Sequence, residues 1–270
     1  MNRDIINRLA KRFILLLTFP FITGMLACSS CSGNDLANNR ENEKGKEIGS
    51  LREAPYPVGA ALSIQSLKNK TAYRNTVIKE FGSITAENAM KMGCLSKGKD
   101  TYFWDDADYL VDFASTNGMR VHGHCLVWYK QSTNAMPTWI QNFQGSKEEW
   151  KQVMKEYIHT VVGRYKGKIT SWDVVNEAIK DDGTFRTAEE CIWTRNIGAP
   201  EYIDWAFQCA HEADPDALLF YNDFGHEYSS AKRTAVNNLI KGMQDRGIPV
   251  HGIGLQMHMQ VKRELADIHT

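Results

Sequence analysis

From Pro55 onward the chain alternates between short apolar runs and longer stretches with helical periodicity. The apolar runs lie at 58–63, 83–88, 120–128, 169–177, 217–223 and 250–258. Runs of that length and composition read as strands covered on both faces. Between them, Ser146 and Glu149 are spaced as a capping box. Trp150, Val153, Met154, Tyr157, Ile158, Val161 and Val162 then fall on one helical face. Pro200 is placed to start a second helix with Ile203, Ala206, Phe207 and Ala210 on its apolar face. A third presents Val236, Leu239, Ile240 and Met243 and stops at Gly247-Ile248-Pro249. Repeated strand–helix units require parallel strands with right-handed crossovers, an α/β fold. At 270 residues and 43% hydrophobic content, the chain has enough apolar material for one barrel or two smaller domains.

The polar residues in these runs sit at the strand C-terminal ends. They are Glu87 and Asn88, His124 and Trp128, Asn176 and Glu177, Asn222 and Asp223, and Gln256 and His258. A parallel barrel collects its active site at that face. One such residue would read as satisfied core, but five consecutive strands presenting polar ends are hard to explain by packing. Glu177, closing a buried strand, is where such an enzyme holds a proton donor.

Five segments together resemble glycoside hydrolase family 10, the endo-β-1,4-xylanases. They are Thr85-Ala86-Glu87-Asn88 with Met90-Lys91, Gly123-His124-Cys125-Leu126-Val127-Trp128, Trp172-Asp173-Val174-Val175-Asn176-Glu177-Ala178, Tyr221-Asn222-Asp223, and Gly252-Ile253-Gly254-Leu255-Gln256-Met257-His258. Asn-Glu alone occurs in several barrel families; Ala178 after it, rather than Pro, leans towards this one. The resemblance runs from about Val58 to about Arg263. It implies a (β/α)8 TIM barrel, of which residues 55–270 hold about six β/α units. It also implies hydrolysis of internal bonds of xylan with retention, which needs an acid/base and a nucleophilic carboxylate about 5–5.5 Å apart. Glu177 takes the role of acid/base, and Asn176 that of the amide bonding the sugar 2-hydroxyl. Glu87, Asn88 and Lys91 resemble the hydroxyl binders of the glycone side, and His124 and Trp128 the sugar-contacting pair of the third strand. Gln256 and His258 resemble the pair that flanks the nucleophile. Xylan and xylo-oligosaccharides are the implied partners, with no cofactor and no metal. The histidines 122, 124, 251 and 258 match no zinc spacing.

Several positions depart from the family pattern. Tyr129 stands where His is common, His122 where Arg is, Gly225 where Asn is, and Met92-Gly93 where an aromatic–acid pair is usual. The family's nucleophile lies on a seventh strand, after one more helix, and Thr270 falls where that helix would begin, at 261–268. The expectation is a partial barrel whose 270 residues are inactive alone. The alternative is a xylan-binding surface lipoprotein without catalysis.

The first residues read as a targeting segment. Arg3, Arg8, Lys11 and Arg12 precede an apolar run at 13–21, and Met25-Leu26-Ala27-Cys28 follows it. Residues 1–28 are expected to be a lipoprotein-like signal with Cys28 lipidated, placing the protein beyond the inner membrane, on the outer membrane or in the periplasm. The membrane would then be met only through the lipid. Residues 29–54 are Ser, Asn, Glu, Lys and Gly-rich and read as a polar linker. Basic and acidic residues balance at 32 each, which gives no electrostatic footprint for nucleic acid. Most of the aromatic residues serve core packing; the remainder offer ring faces that match the apolar faces of pyranoses. Cys94, Cys125, Cys191 and Cys209 are scattered and read as small buried hydrophobes.

Overall fold

The computed structural model describes residues 49–258. Residues 1–48, on which the expected signal with Cys28 and most of the expected linker fall, and the segment from residue 259 lie outside the described residues. Six strands form one parallel sheet in chain order: β1 (Gly59–Leu62), β2 (Ser83–Ala86), β5 (Arg120–Trp128), β6 (Ser171–Asn176), β7 (Leu218–Asp223) and β8 (Gly252–Leu255). This is the curled sheet of a (β/α)8 barrel over six of its units. A hairpin, β3 (Ser96–Gly98) with β4 (Thr101–Tyr102), stands apart from it as an antiparallel pair.

The helices cover the outside. α1 (Ile64–Asn69) and α2 (Thr71–Glu80) follow β1, α3 (Met92–Leu95) and α4 (Asp105–Thr116) follow β2, and α5 (Thr138–Gln141) and α6 (Lys147–Arg164) follow β5. α7 (Ile192–Asn196) and α8 (Glu201–Ala213) follow β6, and α9 (Ser230–Asp245) follows β7. At the start of α6, Ser146 Oγ accepts from the Glu149 backbone N–H while Glu149 accepts from the Ser146 N–H, both halves of a capping box. The buried residues of α6 are the same seven that its periodicity names. On α9, Val236, Leu239 and Met243 are buried, whereas Ile240 is only half-buried and Lys232 is fully buried in line with them.

The strands are not alike. β6 is buried from Trp172 to Asn176, as a strand with a neighbour on each edge and layers on both faces should be. β1 and β8 are largely half-buried or exposed, contrary to the expectation that all six are covered. Among the described residues each has a single pairing partner.

The folded body also begins earlier than Pro55. Residues 51–53 form a 3-10 turn in which Arg52 donates to Ile78 O at 3.0 Å, Asn117 O at 2.6 Å and Gly118 O at 3.2 Å. These carbonyls close α2 and α4, whose last turns have no helical donor left for them, so one guanidinium ties two helix ends together. Leu51 N also donates to Glu80 Oε2 at 3.1 Å, so a stretch whose composition reads as linker is tied down by one charged side chain and one backbone amide.

Gly123 in β5 lies against the face of the fully buried Trp172, where a Cβ would sit 2.1 Å from Cε3. Trp172 has packed neighbours all round and nowhere to move. Gly123→Ala is therefore expected to cost about 1–3 kcal/mol or more, read as a lower urea midpoint; an unchanged midpoint would contradict this packing.

Candidate active site

The register of the central strands brings the polar ends together. Trp128 of β5 pairs with Asn176 of β6, Asn176 with Asn222 of β7, and Asn222 with Gly254 of β8. Deeper in the sheet His124 pairs with Asp173. Gly254 is required in this row, because a Cβ there would lie 2.4 Å from Asn222 Oδ1.

The chain leaves β6 through Glu177, whose φ of 59° is left-handed. That conformation costs a side-chain-bearing residue about 1–3 kcal/mol and persists only where the surroundings impose it. Here the surroundings are explicit. Glu177 N donates to Asn222 O at 2.8 Å, and Arg186 Nε donates to Glu177 O at 2.7 Å. The next two amides, Ala178 and Ile179, both donate to the Tyr221 hydroxyl, at 3.1 and 3.2 Å. That hydroxyl donates in turn to Asp223 Oδ2 at 2.5 Å. Asp223 Oδ1 accepts from Lys232 Nζ at 2.9 Å and from Phe224 N at 2.8 Å. Tyr221, Asp223 and Lys232 are wholly buried. Burial first, and then the Asp223 charge, hold the Tyr221 hydroxyl well above the usual phenol range, so its proton stays in place.

The Glu177 side chain, 8% exposed, is held at both oxygens. Oε2 accepts from Trp128 Nε1 at 2.8 Å and Oε1 from Gln256 Nε2 at 3.0 Å. Each oxygen keeps a second lone-pair direction, the one a transferable proton needs. Gln256 Nε2 also lies 3.2 Å from Asn176 Oδ1, which accepts from Asn222 Nδ2 at 2.9 Å. With its oxygen so occupied, Asn176 presents an amide donor with no protein acceptor among the described residues. His258 Nε2 lies 3.0 Å from Gln256 Oε1, fixing that amide's orientation.

Asp173 anchors the histidines. Its Oδ2 lies 2.8 Å from His124 Nδ1 and 3.1 Å from His122 Nε2, and His122 Nδ1 lies 2.7 Å from Ser171 Oγ. Burial pushes the Asp173 carboxyl up, but the bonds to His122 and His124 together outweigh it and hold the carboxyl below its usual range.

His124, Trp128, Asn176, Glu177, Gln256 and His258 line a single cavity of about 640 Å³. Lys130 and Asn222 line it too, with Gly59, Ala60, Ala61 and Thr85 as its small-residue wall. Glu87 and Asn88 line a neighbouring depression. Lys91 joins the two: its Nζ donates to Asn88 Oδ1 at 2.9 Å and lies 5.3 Å from the Trp128 ring centroid. Glu177 is the one carboxylate among the residues lining the cavity. No cluster of three or more metal-ligating side chains occurs among the described residues. Reading the sequence gave no role to Asp173, Lys130, Arg186, Tyr221 or Lys232. Asp173 lies inside a quoted motif, whereas Lys232 is marked only by its place on an otherwise apolar helix face.

Comparison with known proteins decides the family. The model of glycosyl hydrolase family 10 matches residues 49–270. The chain belongs to that family. It is 42% identical over 197 residues to endo-1,4-beta-xylanase B of Thermotoga neapolitana, covering 73% of this chain and 55% of the relative. It is 42% identical over 222 residues to a beta-1,4-xylanase of Dictyoglomus thermophilum, covering 81% of this chain and 60% of the relative. The crystal structure of xylanase 10B from Thermotoga maritima superposes with a TM-score of 0.68 at 44% identity, over 75% of this chain and 60% of that one. Xylanase 10B from Thermotoga petrophila, in complex with xylobiose, gives 0.68 at 43% identity over 75% and 59%. The chain thus spans a little over half of each of these four proteins.

The Asp173 cluster makes a pH prediction. A carboxylate with a depressed folded-state pKa stabilises above its unfolded value of about 3.9 and loses that contribution as pH falls through the folded value. Asp173→Asn should therefore cost about 1–3 kcal/mol at pH 7, and the gap from the parent chain should close as pH drops below about 3.9. Urea titrations at pH 7 and pH 3 measure both; an equal gap at the two pH values would refute the assignment.

Proposed function

We propose that this chain carries the acid/base and glycone side of an endo-1,4-β-xylanase that cleaves internal bonds of xylan with retention. The observation that carries the reading is the Glu177 carboxyl. It is buried, pinned at both oxygens by Trp128 and Gln256, and set beside Asn176 in a cavity large enough for sugar rings. The xylanase names of its relatives and the xylobiose complex of one structural neighbour support xylo-oligosaccharides as ligands.

In this reading Glu177 protonates the glycosidic oxygen as the bond to the anomeric carbon breaks. A second carboxylate, placed about 5–5.5 Å away, attacks that carbon and forms a glycosyl-enzyme. Glu177, now ionised, takes a proton from water as the water oxygen attacks the same carbon and expels the carboxylate. Asn176 donates to the sugar 2-hydroxyl, a bond that strengthens as charge develops at the neighbouring carbon. Of the other acids at this face, Asp223 has both oxygens engaged and no exposure, and Glu87 faces the neighbouring depression. The nucleophile of this mechanism is therefore assigned outside residues 49–258.

Single-carboxylate geometry within the cavity also fits a xylan-binding protein without catalysis, and kinetics separates the two. In the xylan-hydrolysing protein, Glu177→Ala should lower kcat on xylan by about 10²–10⁴-fold. Aryl xylobiosides with acidic phenol leaving groups need no protonation and should still form the intermediate. Azide should then restore turnover and give the β-configured xylobiosyl azide. Loss of hydrolysis that azide does not rescue would remove Glu177 from the acid/base role. Binding of xylotriose by a protein that never hydrolyses xylan would favour the binding reading.

A further inference from the structure

We propose that Phe103 is a sugar-stacking platform that extends the cleft beyond Glu87 and Asn88, taking a distal unit of a β-1,4-linked xylose chain; the proposal rests on the xylanase reading. Phe103 lies in the stretch Tyr102-Phe103-Trp104, between β4 and α4. The rings on either side of it are committed to packing. Tyr102 and Trp104 stack on each other with centroids 4.8 Å apart and planes within 8°, and Trp104 meets Tyr165 edge-on at 6.1 Å. The Arg164 guanidinium lies 4.6 Å from the Trp104 ring. Alternation along an extended backbone sends the middle residue the other way. Phe103 is accordingly 45% exposed, while its backbone is fixed by donation to Leu95 O at 2.7 Å.

An isolated exposed phenyl ring is ordinary, but this one lines a depression of about 290 Å³ together with Gln65, Glu87 and Asn88. Of the polar side chains around it, Lys97 donates to Gly93 O, Asp106 accepts from Lys68 and Ser63 Oγ caps α1, whereas three groups are unspent among the described residues. The Glu87 carboxylate has no protein donor, and the amide nitrogens of Asn88 and Gln65 have no protein acceptor. Their oxygens are taken, by Lys91 at 2.9 Å and Asn69 at 3.1 Å. An open aromatic face, two amide donors and a carboxylate acceptor suit a neutral pyranose. Its axial C–H bonds meet the negative face of the ring, and its hydroxyls both give and accept hydrogen bonds. Continuity with the acid runs from Asn88 to Lys91, from Lys91 to the Trp128 ring and from Trp128 to Glu177. A ligand in the depression therefore lies on the same path as one at Glu177, farther from the bond to be cleaved.

The test titrates the full chain, Phe103→Ala and Phe103→Trp with xylobiose and xylohexaose by calorimetry. Phe103→Ala should weaken xylohexaose about tenfold, the size of one ring-stacking contact, with xylobiose changed less than about twofold and Phe103→Trp restoring the affinity. An equal effect on both ligands, or on neither, overturns the platform and leaves the xylanase reading standing. Failure of the unmodified chain to bind either ligand overturns both.

Discussion

The buried pair of Asp223 and Lys232 is the interaction on which the site depends. Neither group meets water, and such a pair contributes little net stability over an apolar replacement. Its value lies in what the carboxylate then holds. With Lys232 and the Phe224 amide on one oxygen, the other is free to fix the Tyr221 proton, which aims the phenol lone pairs at Ala178 and Ile179. Those two amides set the backbone just after Glu177. The left-handed turn at Glu177 is thus imposed by the next strand and the helix behind it, and the carboxyl emerges at a fixed angle.

The second constraint is the parallel register. β5 and β6 end level at Trp128 and Asn176, and β7 and β8 at Asp223 and Leu255, so side chains far apart in sequence, Trp128, Asn176, Asn222 and Gln256, form one hydrogen-bonded row around Glu177. Amides fill this row because each carries both a donor and an acceptor, so the chain of bonds runs without adding charge beside the carboxyl. Asp173 works below it, orienting two histidines whose ring nitrogens would otherwise be free to choose tautomers.

Much of this was legible in the residues. The alternation of apolar runs and helical faces gave six strands in order, because a strand covered by helices has to be apolar along its length. The polar ends of those runs named seven of the residues lining the cavity. What escaped has a common physical cause: it depends on who the neighbours are. Lys232 occupies a position of α9 that only an apolar side chain would fill, unless a buried acid waits on the adjoining strand. Arg52 sits in a stretch whose composition is that of a linker, and it is ordered by carbonyls of two distant helix ends. The half-buried state of β1 and β8 follows from pairing on one side, which composition does not report.

The hairpin of β3 and β4 shows the same limit. Ser96-Lys97-Gly98 and Thr101-Tyr102 have no apolar alternation to announce strands, and their pairing is short and irregular. The hairpin nevertheless sets the direction of the residues after it. Once Tyr102 and Trp104 are drawn together on one side, the residue between them has to face the other, whatever its type. A polar residue there would leave the depression beside Glu87 and Asn88 as a wet groove. Phenylalanine gives that groove a flat apolar wall next to unspent hydrogen-bonding groups, so the surface is amphipathic on the scale of a single sugar ring. The fold supplies the position, and this one side chain sets where that amphipathic surface lies relative to Glu177.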